Sequence, residues 1–189
     1  SFANYYTFVI SPEGRSDELL RMIDEVTTNK TDFFREPTHF DYLVQTVVPS
    51  VLGASCAGDL RVWSAACSTG EEPYTIAMVL SELVRKRREL RPQILASDIN
   101  REVLARAVSA VYPSELAAPV PSELSRRYLL VGTGPRAGFV RVAPEVRRMV
   151  SFRRINLMDG DWALGQSMDV VFCRNVIIYF DRETQRELF

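Results

Sequence analysis

Leu60-Arg61-Val62-Trp63-Ser64-Ala65-Ala66, then Cys67-Ser68-Thr69-Gly70-Glu71-Glu72, then Pro73: this stretch decides the fold. The first seven residues read as a buried strand, and the next six as a tight loop. Pro73 suits the first turn of a helix, where its missing N–H costs nothing. Ile76, Ala77, Leu80, Leu83 and Val84 then make one apolar helical face. Gln93 to Ser97 reads as a second strand ending at Asp98. Asn100 caps the next helix, with Val103, Leu104, Ala107, Val108 and Val111 facing inward. Strand, loop, helix, strand, helix in this order predicts an α/β fold built on an open parallel sheet with right-handed crossovers.

Downstream, residues 112–150 break the alternation. Pro113, Pro119 and Pro121 punctuate a short helix ending near Tyr128. Tyr128–Val131 and Phe139–Val142, joined across Gly132–Gly138, read as a β-hairpin in a small antiparallel insertion. Gly132-Thr133-Gly134 resembles a phosphate loop, but no amphipathic helix follows, so a turn is expected. Val150 to Leu157 is a third strand of the main sheet, ending at Asn156. Asp169 to Cys173 is the most apolar strand, followed by Arg174-Asn175 and Val176–Phe180, and Asp181 caps a final helix. A sheet that stopped at Phe189 would leave a buried-type strand at its edge with unpaired backbone groups. The expectation is a fragment of a longer chain.

Upstream, residues 1–15 end in the loop signal Pro12-Glu13-Gly14, and Ser16 is a candidate helix cap ahead of Leu19, Leu20, Ile23 and Val26. Asn29 can cap a short helix, with Asp32 three residues on. Pro37 opens another, with Phe40, Leu43, Val44 and Val47 on one face and Pro49 as its stop. Residues 50–59, small and glycine-bearing, read as a linker.

Composition narrows the function. The 189 residues are 47% hydrophobic and 25% charged, with a formal net charge of −1. That is a globular balance and argues against nucleic-acid binding driven by charge. No apolar run approaches the ~20 residues needed to span a bilayer. Cys56, Cys67 and Cys173 form no C-x-x-C pair, which suits a reduced cytoplasm and gives no metal cluster. His39 is the only histidine and is expected as a surface residue at a helix start. The basic run Arg85–Arg88 reads as a solvated helix end that complements the helix dipole.

Ligands of open parallel sheets bind outside the carboxyl ends of the strands. Those ends carry Ser68–Glu72, Asp98, Asn156-Leu157 and Arg174-Asn175. Gly70 is the single glycine of the first turn, and Glu71-Glu72 at the helix N-terminus would repel a phosphate. Asp98 is placed to accept hydrogen bonds from a ribose. A cationic nucleoside without phosphates, such as S-adenosylmethionine, fits. The plainer alternative is that Glu71 and Glu72 merely complement the helix dipole.

Four stretches in register extend this reading: residues 27–36 (TTNKTDFFRE), 61–74 (RVWSAACSTGEEPY), 96–99 (ASDI) and 172–180 (FCRNVIIYF). Together they resemble the chemotaxis receptor methyltransferases, the CheR family, from about Asp17 to the last residue. The resemblance implies an S-adenosylmethionine-dependent, Rossmann-like methyltransferase domain at 60–189, incomplete at its C-terminus, with a β-subdomain at about 112–150. Residues 1–48 would be a remnant of an N-terminal helical domain plus a segment that touches the cofactor.

The implied activity is methylation of glutamate side chains on the cytoplasmic helices of chemoreceptors, giving methyl esters and S-adenosylhomocysteine. A receptor tail at the β-subdomain is a further implied partner, and nucleic acid is not. By the same resemblance, Asn29, Thr31, Arg35, Glu72, Asp98, Asn156, Leu157, Arg174 and Asn175 bind the cofactor, and Arg35 and Tyr179 flank the transferred methyl. On the residues alone, Tyr179 is a buried strand-end aromatic and Arg35 an ion-pair partner of a neighbour such as Glu36. Two other functions stay open: a methyltransferase with a different acceptor, and a regulatory module that binds the cofactor without transfer.

Overall fold

A computed structural model describes residues 1–15, 18–27, 29–54 and 58–188. The expected cap at Ser16, Cys56 and the last residue, Phe189, lie outside them. The centre is a parallel sheet in the order β6-β2-β1-β7. Strand β1 (Asp59–Ala65) lies between β2 (Arg91–Asp98) and β7 (Val170–Phe172), and β6 (Val150–Arg154) flanks β2. The β1–β2 register runs from Asp59 opposite Arg91 to Ala65 opposite Ser97. From Val62 to Ala65 β1 is buried at every residue, as expected of a strand covered on both faces.

Helix α6 (Glu71–Lys86) follows β1 and buries Tyr74, Ile76, Ala77, Met78 and Leu80 against the sheet. Gly70 at its N-cap has φ +97°, and a Cβ there would lie 2.9 Å from Ala107 Cβ. Helix α7 (Arg101–Ser109) is capped by Asn100, whose Oδ1 accepts from the N–H groups of Glu102 (2.9 Å) and Val103 (3.1 Å). It ends at Ala110, φ +55°. That stop turns Val111 into the first residue of β3 (Val111–Pro113) and leaves Val108 exposed, so neither lines the helix's inner face as expected.

The insertion is a three-stranded antiparallel sheet, β3-β5-β4, made with β4 (Leu129–Val131) and β5 (Phe139–Val142). Helices α8 (Ser122–Tyr128) and α9 (Pro144–Arg147) flank it. Gly132–Gly134 lies in the β4–β5 connection, Gly132 N–H donating to Phe139 O at 2.8 Å, as the turn reading expects. Helix α10 (Arg182–Leu188) starts beside Asp181, whose Oδ1 accepts from Thr184 N–H.

The N-terminal part departs most from expectation. Helices α1 (Phe2–Ile10) and α2 (Pro12–Arg15) occupy the stretch read as ending in a loop. Pro12 begins a helix rather than breaking one, consistent with its fixed φ. Helix α3 (Glu18–Val26) is as expected. Asn29 caps no helix: residues 29–36 run through bends and turns, with Phe34 and Glu36 at φ +54° and +55°. Pro49 does not stop the helix that begins at Thr38. The chain passes from α4 (Thr38–Tyr42) through a π-helical turn (Leu43–Val47) into α5 (Val48–Ala54). A wider turn relieves the clash between a proline ring and the preceding carbonyls. This segment is pinned to the core by Phe33, Phe40 and Leu43, with Phe40 stacked on Phe172 of β7 at 5.9 Å.

Candidate cofactor and methyl-transfer site

The first loop is shaped by backbone strain. Ala66 and Ser68 take left-handed φ values of +57° and +50°, a cost of about 1–2 kcal/mol each for residues with a Cβ. Two bonds hold them: Cys67 N–H to Ser97 O (2.8 Å) and Ser68 N–H to Asp98 Oδ2 (2.8 Å). The loop thereby exposes its edge to a cavity of about 430 Å³ at the carboxyl ends of the four parallel strands. All the residues expected to bind the cofactor line it (Asn29, Thr31, Arg35, Glu72, Asp98, Asn156, Leu157, Arg174 and Asn175), as does Tyr179, expected beside the transferred methyl. His39 does not line it; it lies on the surface beside Glu36 (3.3 Å), as expected.

The two loop carboxylates part company. Glu71 turns away and accepts from Thr69 Oγ1 at 2.6 Å. Glu72 lines the cavity, accepting from Ser64 Oγ at 2.8 Å and lying 3.6 Å from Arg174 Nε. Dipole complementation alone does not require a hydroxyl in the middle of β1 to fix one of the pair. Burial pushes the Glu72 carboxyl up from its ordinary value, against the pull of Ser64, Arg174 and Arg35. Asp98 is also buried and raised by burial, against backbone bonds from Asn100, Ser68 and Ile99. A carboxylate offers about four lone-pair sites. The bonds from Ser68 and Asn100 (3.0 Å) leave Asp98 capacity for hydroxyl donors.

Arg174 follows β7 and is nearly buried, its side chain 12% exposed. Its Nη2 donates to Arg35 O (2.7 Å) and Glu36 Oε2 (3.4 Å), and its guanidinium lies 5.3 Å over the Phe40 ring. Among the described residues Nε and Nη1 are buried without a hydrogen-bond partner, Nε facing Glu72 Oε2 at ion-pair distance. Buried unpaired donors are costly and call for an acceptor. Asn175, next to it, has φ +58°.

Arg35 is tied to Lys30 O by Nη1 (3.0 Å), and its charge also pulls on Glu72. The alternative pairing with Glu36 is not formed, because Glu36 faces Arg174 and His39. Tyr179 sits in a 3₁₀ turn (Ile177–Tyr179) and is 64% exposed, so it is no buried strand-end aromatic. Asn29 is fixed by its own Nδ2 bonds to Thr27 and by Ser68 Oγ, which donates to Asn29 O at 2.8 Å. Ser64 and Phe40 were missed as site residues. Ser64 stands in the run of β1, and Phe40 in an apolar helix face, so pattern alone assigns both to the core. A hydroxyl inside an apolar strand was the available signal for Ser64.

A lined cavity of this size, a buried Asp98 at a strand end, the Glu72 carboxylate and Arg174 donors without a hydrogen-bond partner fit a ligand with hydroxyl, cationic and anionic groups, as in S-adenosylmethionine. Fold and site together define an α/β domain of the S-adenosylmethionine-binding class. The chain belongs to the CheR methyltransferase family: the family model for its S-adenosylmethionine-binding domain matches residues 29–189. It is 44% identical over 188 residues to chemotaxis protein methyltransferase 2 of Pseudomonas aeruginosa, covering 100% of this chain and 65% of that protein. It is 38% identical over 192 residues to the chemotaxis protein methyltransferase of Borreliella burgdorferi (100% and 66%) and 40% over 184 residues to that of Escherichia coli (97% and 62%). The chain thus spans slightly less than two thirds of the length of these relatives. Among the described residues no helix is long and apolar enough to cross a membrane.

Proposed function

We propose that this chain carries the catalytic domain of a protein-glutamate O-methyltransferase that modifies the cytoplasmic helices of chemoreceptors, and so acts in the cytoplasm. Residues 1–48 are a helical segment and a cofactor-contacting segment, and 60–189 the methyltransferase domain, with 112–150 its β-subdomain. The observation that carries the reading is the convergence of Arg35, Glu72, Asp98, Arg174, Asn175 and Tyr179 on one cavity, in a chain similar throughout to chemotaxis protein methyltransferases.

When bound, S-adenosylmethionine supplies an electrophilic methyl group on a sulfonium. The chain's residues bind, orient and exclude water. Asp98 accepts the ribose hydroxyls. Glu72, held by Ser64, faces the cationic amino group, while the Arg174 donors that make no hydrogen bond, with Asn175 beside them, take the carboxylate. Asn29 and Thr31 close the cavity from the N-terminal segment, and Asn156 and Leu157 from the far side. The acceptor needs no general base, because a glutamate with a reference pKa of about 4.3 is already ionised near neutrality. What it needs is alignment, with reacting atoms at ~3–3.5 Å. Arg35 orients the incoming carboxylate through a forked hydrogen bond, and Tyr179 at the cavity mouth shapes its approach. Because the reaction cancels two charges, Arg35 must not hold the carboxylate more tightly than the transition state.

The test is incubation with methyl-labelled S-adenosylmethionine and a receptor cytoplasmic fragment, followed by alkali. Volatile labelled methanol is expected. Cofactor binding without transfer would favour a different acceptor or a binding-only module.

A further inference from the structure

Ile155, Asn156, Leu157 and Met158 close one side of the cavity. They follow β6, which neighbours β2 on the side away from β1. Asp98 ends β2, while Glu72 and Arg174 follow β1 and β7. With the ribose at Asp98 and the amino-acid end at Glu72 and Arg174, the nucleobase end of the cofactor faces this wall. Ile155 N–H donates to Asp98 O at 3.1 Å and ties the start of the wall to β2; beyond it the wall is loop, and something must fix that part against the sheet. Its own bonds, Met158 N–H to Asn156 Oδ1 (3.1 Å) and Asn156 Nδ2 to Asp159 Oδ1 (3.0 Å), are local and set no orientation.

The anchor comes from further along the loop. Trp162 Nε1 donates to Leu157 O at 3.3 Å. Its ring packs on Trp63 of β1, centroids 5.0 Å apart and planes at 58°. Trp63 is buried and donates Nε1 to Ser97 Oγ at 2.9 Å, one residue before Asp98. Arg153 of β6 holds the loop's outer limb, Nη1 donating to Ala163 O (3.0 Å) and Nη2 to Trp162 O (3.3 Å).

We propose that Trp162, seated on Trp63 and held by Arg153, is a positioning residue that sets the nucleobase wall of the cofactor cavity through its hydrogen bond to Leu157. The proposal rests on the cofactor placement given above. A wall fixed before binding contributes affinity by sparing the cost of ordering it. Trp63 and Trp162 are the only tryptophans in the sequence, so intrinsic tryptophan fluorescence arises wholly from this pair and reports on the wall.

The test titrates S-adenosylhomocysteine into wild type, Trp162→Phe and Arg153→Gln, by calorimetry and by tryptophan fluorescence. Phenylalanine keeps a six-membered ring on Trp63 and removes the donor with the pyrrole part of the indole; Arg153 is exposed, so its replacement spares the core. In Trp162→Phe the dissociation constant is expected to rise roughly five- to tenfold, the weight of one hydrogen bond, with KM for the cofactor moved more than kcat. Arg153→Gln is expected to weaken binding in the same sense, and wild-type fluorescence to change on binding. An unchanged dissociation constant in folded Trp162→Phe would overturn the proposal. So would a fall in kcat or thermal stability with cofactor affinity intact, the mark of a merely structural tryptophan. Failure of wild type itself to bind would overturn the cofactor placement as well, which separates the two failures.

Discussion

Asp98 is buried and Glu72 nearly so, with Arg174 3.6 Å from Glu72, and burial raises the pKa of both carboxylates. In the folded, ligand-free chain each holds its proton more tightly than when unfolded. Their ionisation therefore opposes folding above the raised pKa values, and that penalty is relieved as pH falls through them. A cationic ligand reverses the preference by favouring the charged form. Affinity for S-adenosylmethionine is thus expected to fall as the medium is acidified toward these pKa values, with proton uptake at Glu72 competing against the ligand; calorimetry across a pH series checks this. Asp98→Ala removes the ribose acceptor while leaving Arg35 and Arg174 in place. It should weaken cofactor binding by roughly tenfold or more, and an unchanged dissociation constant would refute the ribose role. Arg35→Ala should leave the fold intact, since Arg35 is only partly buried and, among the described residues, its side-chain hydrogen bond is to Lys30 O. Transfer should drop at least a hundredfold, on the order of the loss from one charge-stabilising group; near-normal turnover would remove Arg35 from the mechanism.

At the scale of elements, the first loop couples three pieces of the molecule. Gly70 lets α6 begin where Ala107 of α7 and Tyr112 of β3 leave no room for a Cβ. Gly70→Ala meets a left-handed φ as well as that contact, so a loss of ~2–4 kcal/mol is expected in chemical denaturation. Here sequence reading worked where local rules govern and failed where distant contacts do. Pro73 in the first turn of α6 and Asn100 as the cap of α7 act through neighbours a few residues away, and both are found as read. Residues 29–36 look like a capped helix, but Ser68 Oγ donates to Asn29 O and Thr75 Oγ1 accepts from Phe34 N–H. Those long-range bonds hold an irregular path that no local period reveals. Pro49 misleads for a related reason: the π turn before it absorbs the proline without ending the helix.

Across the whole molecule, the sheet order β6-β2-β1-β7 gathers four strand ends around one cavity. That gathering was legible because β1, the end of β2 and β7 are apolar runs followed by polar residues. Asp98 ends β2, Arg174 lies just past β7, and Asn156 lies two residues past Arg154, where β6 ends short of the strand expected to reach Asn156. The third strand of the insertion, Val111–Pro113, was not legible, because its pairing with Phe139–Arg141 is non-local. On the proposed placement the cofactor contacts strand ends, the first loop and the N-terminal segment at once, so binding should stabilise the fold as a unit. Saturation with S-adenosylhomocysteine at a hundred times its dissociation constant should add about 2.7 kcal/mol to the unfolding free energy.

The central claim is that one cavity orders the cofactor from nucleobase to amino acid across β6, β2, β1 and β7. A crystal structure with S-adenosylhomocysteine tests it most directly. The account predicts ribose hydroxyls on Asp98, the amino group toward Glu72, the carboxylate on Arg174 Nε or Nη1, and the sulfur facing Arg35 and Tyr179. Ligand density away from Asp98, or the amino-acid end lying against Leu157, would contradict it.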